Sequence, residues 1–183
     1  MNDEQVYGHR PRLRGMFHVW GAFGFAIAAP FLMQDIRDTA AWWGVAAFFA
    51  GIVGQFTISG FYHRIEWTPR ALGRMRRLDH AFIYVLIWCC FAPLCLTALP
   101  RSEGPMLLTV AAVGALLGVL RVLVWPYAPK PLATASYCLL PLLAAPYVTR
   151  IFAAAGPTGT ACLVAGDAIV ALGALVYAYD RPN

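Results

Sequence analysis

Apolar runs separated by short polar clusters fill this sequence from residue 16 to residue 179. The runs cover about 16–33, 40–62, 80–99, 106–125, 132–148 and 160–179. Each approaches the ~20 residues that a helix needs to cross a ~30 Å hydrocarbon core. Their apolar character is continuous, whereas a barrel strand alternates between lipid and lumen, so the pattern predicts helices. The fifth run is the most interrupted, with Pro141 and Pro146 inside it and Pro126, Pro129 and Pro131 just before it. The polar segments read as loops: 34–39, a basic stretch with Arg64, Arg70, Arg74, Arg76 and Arg77, 101–105, and 150–159 with Gly156 and Pro157. The expected fold is all-α, a single polytopic transmembrane helical bundle over residues 1–183 with about six spans.

Composition agrees with the pattern. Hydrophobic residues make up 60% of the chain and charged residues only 13%, with a mean hydropathy of +0.62. Soluble domains carry about a quarter charged residues, so an integral membrane protein is implied. No cleavable signal is expected, because the N-terminus is polar and no small-residue cleavage site precedes the first run. The net charge of +5 does not point to nucleic acid, since the cations lie between apolar runs. Arg10, Arg12 and Arg14, the basic stretch and Lys130 fall on one side, against Arg37, Arg101 and Arg150 on the other. The positive-inside rule then places the N-terminus in the cytoplasm, and six spans return the C-terminus there. Cys89, Cys90, Cys95, Cys138 and Cys162 all sit in apolar runs without metal-knuckle spacing, and read as small buried hydrophobes.

Against that background a few polar residues stand out. Ser59, Tyr62 and His63 close the second run, Asp79 and His80 open the third, and His18 lies near the start of the first. The inferred topology brings all of them to the cytoplasmic side. Ser59 precedes His63 by four residues, so both project from one helical face. Asp79 and His80 diverge by roughly 100°, so only one of them can readily face His63. Ionisable groups at membrane depth are rare and usually functional. Imidazole and carboxylate suit Zn²⁺, which in catalytic sites takes three protein ligands and a water. Histidines at helix ends also snorkel, and serines in spans also satisfy backbone groups. The residues alone leave both readings open. Arg121, late in the fourth run, is expected to snorkel toward the cytoplasmic face, and Tyr62, Trp67, Trp125 and Tyr127 to form an interfacial belt.

The stretch SGFYHRIEW followed by RRLDHAFIYVLI resembles the hemolysin III branch of the progestin and adipoQ receptor family. RPRLRGMFH near the start and GDAIVALGALVYAYDRPN near the end extend the likeness over nearly the whole chain. The resemblance implies a seven-helix bundle with an intramembrane zinc site near the cytoplasmic side, similar to that of alkaline ceramidases. It makes His63 a zinc ligand, and makes Ser59 and Asp79 the polar pair beside the zinc-bound water. It matches His18 to the family's first-span histidine, and Asp79 is a further candidate ligand. Two departures accompany it. The family's Gly-Thr-Tyr-Thr-Pro stretch appears as Cys89-Cys90-Phe91-Ala92-Pro93, and the family's His-x-x-x-His would begin where Asn183 ends this sequence. A truncated chain, or a member without the complete site, is the expectation drawn from the second.

The function expected from this resemblance is zinc-dependent hydrolysis of a lipid amide or ester, in a bacterial plasma membrane. The partner would be membrane lipid, with homo-oligomerisation open. The alternative is a non-enzymatic membrane protein or receptor acting in lipid homeostasis. A pore-forming cytolysin rests on the family name alone and is the least favoured reading.

Overall fold

The computed structural model of the protein describes residues 13 and 15–178. Helix α1 is Met16–Met33, α2 Thr39–Arg64, α3 Pro69–Pro93, α4 Gly104–Val124, α5 Lys130–Leu139 and α6 Val148–Ala178. A π-helical turn, Leu94–Ala98, extends α3, and a 3-10 segment, Pro141–Tyr147, joins α5 to α6. Among the described residues there is no strand. Arg10, Arg12 and Arg14 of the expected basic arm, and Tyr179 at the end of the sixth run, lie outside the described residues.

Among the described residues, five helical stretches are long and apolar enough to cross a membrane: Met16–Met33, Thr39–Arg64, Pro69–Ala98, Gly104–Val124 and Lys130–Val176. The last, straightened at 1.5 Å per residue, would reach about 70 Å, more than twice a hydrocarbon core. It does not run straight. Gly156 has φ 67° and ψ −179°, a conformation essentially confined to glycine, and Pro157 follows. Thr160 Oγ1 donates to the Phe152 carbonyl across the turn at 3.2 Å. Beyond it α6 returns beside α5, where Pro131, Thr134 and Cys138 share a groove with Ala171, Ala174 and Leu175. The loop expected over 150–159 is thus a reversal at Gly156, with helix on both sides.

The basic stretch is also not a loop. Arg70, Arg74, Arg76 and Arg77 ride on the first turns of α3. Thr68 caps this helix, accepting from the Ala71 amide at 3.4 Å, and Pro69 takes the first position, which needs no N–H. Asp38 caps α2 in the same way, accepting from Ala41 at 2.7 Å.

Helices α1 to α4 pack in chain order, each antiparallel to the next. Lipid offers little hydrophobic drive between helices, so close backbone approach at small residues does this work. A Cβ on Gly21 would lie 2.4 Å from the Phe56 ring, on Gly44 2.9 Å from Pro93 Cα, and on Gly118 2.2 Å from the Tyr84 ring. Pairing 21 with 56, 44 with 93 and 118 with 84 fixes the three antiparallel registers. Two buried clusters result. Phe91, Cys95, Leu99, Leu107, Ala111 and Ile151 form one; Ala81, Tyr84, Ala115, Val122 and Leu140 form the other. Outside them, Phe17, Trp20, Phe23, Ile27 and Phe31 of α1 are exposed, as a lipid-facing surface requires.

Candidate functional site

The start of α1, the end of α2 and the third turn of α3 meet at one end of the bundle. Gly15 sets the meeting point. Its φ of 78° starts α1 from the left-handed region, and a Cβ there would lie 2.7 Å from His63 Cβ. With the two backbones this close, the His18 and His63 rings come to 5.8 Å between centroids. Phe56 meets His18 edge-on at 5.7 Å, and Tyr62 lies 4.7 Å from the His63 ring. His18 Nδ1 is buried with no hydrogen-bond partner.

Along α2, Gly51, Gln55, Ser59 and His63 recur every four residues and form its inward row. Ser59 is 4% exposed and Asp79 7%. Gln55 Nε2 donates to Asp79 Oδ1 at 3.3 Å and to its carbonyl at 3.4 Å. Asp79 is therefore held level with Gln55, two helical turns along α2 from His63. Of the adjacent pair on α3, Asp79 is the one that faces α2. His80 Nδ1 donates to the Arg76 carbonyl one turn back at 2.8 Å and lies 3.8 Å from Asp79 Oδ2.

The structure thus pairs His18 with His63, and Asp79 with Gln55, and buries Ser59 between the two levels of α2. Gln55, which no sequence motif marks, joins Asp79 in this buried cluster. Its signal was a lone amide two turns before His63 in a run that lacks charge. The buried, unpartnered His18 Nδ1 suits a metal ion, and the His63 ring lies beside it. A third donor is not with them: among the described residues no group of three or more His, Cys, Asp or Glu is placed to hold an ion.

Arg121 departs from expectation. It does not snorkel outward but turns into the bundle, where Tyr84 and Ser136 receive it. At the opposite end of the bundle Arg150 pairs with Glu103.

Helices of membrane length, a lipid-facing apolar exterior and polar side chains gathered at one end define a polytopic integral membrane protein. The sequence matches the haemolysin-III related family model over residues 6–183, and the chain belongs to that family. No solved structure matches it.

Proposed function

We propose that the chain is a zinc-dependent hydrolase of a lipid amide or ester, acting where α1, α2 and α3 meet. The observation that carries this reading is the convergence of His18 and His63, with a buried, unpartnered Nδ1 on the former. These two imidazoles would hold the ion. When bound, zinc supplies Lewis acidity, polarising a carbonyl and bringing a water's pKa toward ~7.

The chain's own groups supply the rest. Ser59, buried on the same face of α2 as His63, offers a hydroxyl to orient water or a substrate carbonyl. Asp79, whose Oδ1 Gln55 orients by donation, stands two turns along α2 from His63 and would take a proton through a water relayed past Ser59. The apolar exterior admits a substrate sideways from the bilayer, which favours a lipid over a soluble metabolite.

The test uses the full chain in lipid nanodiscs, with metal content by mass spectrometry and release of fatty acid from a fluorogenic N-acyl lipid. His18→Ala and His63→Ala should each lose bound zinc and turnover, with helicity retained. Asp79→Asn should keep the metal and lose about 10²-fold or more in rate. Zinc binding unchanged in the double histidine variant would overturn the reading.

A further inference from the structure

Asp79 and Tyr84 lie about 140° apart around α3, at ~100° per residue. The face opposite the histidine site therefore carries a second polar cluster. Arg121 Nη2 donates to Tyr84 Oη at 2.8 Å and to Ser136 Oγ at 3.2 Å. The two hydroxyls are 2.6 Å apart, and Ser136 donates onward to the Ala133 carbonyl at 2.6 Å. That last bond directs the others: Tyr84 accepts from Arg121 and donates to Ser136. The guanidinium carbon lies 5.7 Å from the ring centres of both Tyr84 and Tyr137. Tyr84 is 2% exposed, and Arg121 is half-buried and reachable from the surface.

Every one of these partners is neutral. Among the described residues no carboxylate pairs with Arg121, and its Nε–H is buried without an acceptor. Taking a cation from water without a counter-charge is costly, and arginine does not shed its proton. Two rings and two hydroxyls hold this charge against the bundle, with the residue still partly exposed.

The surroundings indicate what would balance it. Segments 64–80 and 120–137 contain Arg64, Arg70, Arg74, Arg76, Arg77, Arg121 and Lys130, against Glu66 and Asp79 alone. Asp79 is turned toward α2, and Arg76 stacks over Tyr127 at 4.9 Å. A guanidinium fork without a counter-charge, in a cationic and aromatic setting, matches the planar donor geometry that phosphate selects. We propose that Arg121, with Tyr84 and Ser136, forms a site between α3, α4 and α5 for an anionic phosphate group, carried by a lipid headgroup or free.

The test titrates the full chain in neutral detergent with phosphatidylglycerol, phosphatidylcholine and inorganic phosphate, reading occupancy by native mass spectrometry. Phosphatidylglycerol should bind about tenfold more tightly than phosphatidylcholine if the source is lipid. Saturable binding of inorganic phosphate assigns the source to the free ion. Arg121→Gln should erase either preference, and Tyr84→Phe, which removes a hydroxyl that orients the guanidinium, should weaken it. If the glutamine variant fails to fold, Arg121→Lys keeps the charge and loses the fork, and weaker binding is expected. Undiminished binding in a folded Arg121 variant, or no anion binding by the wild type, would overturn the site.

Discussion

At the scale of the residue, the link between Gln55 and Asp79 carries most weight. A carboxylate 7% exposed is tolerable only while something donates to it, and Gln55 donates to its Oδ1 as well as to the Asp79 main-chain carbonyl. Gln55→Leu is expected to cost about 1–3 kcal/mol of bundle stability, the range for orphaning a buried polar group. Thermal or denaturant unfolding of the single variants and of Gln55→Leu/Asp79→Leu would measure the coupling. Strict additivity would show that the pair does not interact. His63, Asp79 and His18 stand out in the sequence because charge and imidazole are conspicuous in apolar runs, and Ser59 stands out by its four-residue spacing from His63. Gln55 does not, since an amide carries no charge and its partner is 24 residues away in sequence. Nor does the inward turn of Arg121, because Tyr84 and Ser136 come from two other helices.

At the scale of the element, hydropathy located the helices and missed their ends. It ends where the bilayer ends, so the first ten residues of α3 read as a loop, although Thr68-Pro69 is a helix-start signature visible in the sequence. The sixth run was placed well, and its junction with the fifth was not, since a single glycine reverses the chain in place of a longer loop. Element packing makes its own prediction. A methyl on Gly118 would meet the Tyr84 ring at 2.2 Å, and that ring is too enclosed to retreat. Gly118→Ala should force α3 and α4 apart and cost about 1–3 kcal/mol, measurable as a lowered melting temperature. It should also weaken the phosphate preference proposed for Arg121.

At the scale of the whole molecule, the sequence made the polytopic bundle plain, and hydropathy alone could not show how its last third is arranged. Reversal at Gly156 places Cys138 of α5 against the returning limb of α6. A bifunctional maleimide should therefore join Cys138 to a cysteine introduced at Ala171 or Ala174, detected as an intramolecular cross-link by peptide mapping. Gly156→Ala should reduce that yield and destabilise the chain by about 1–3 kcal/mol, because alanine resists the backbone angles there.

Helix α3 reaches beyond the apolar run through its first ten residues, four of them arginine, about 15 Å at 1.5 Å per residue, without a break before Asp79 or Tyr84. Such a rod joins a basic N-terminal end to two polar faces farther along it. A surface that drew in Arg74 and Arg77 would tilt the rod carrying both the carboxylate opposite Gln55 and the hydroxyl under Arg121. The spacing at the two clusters would then shift together, in opposite senses on the two sides of one helix.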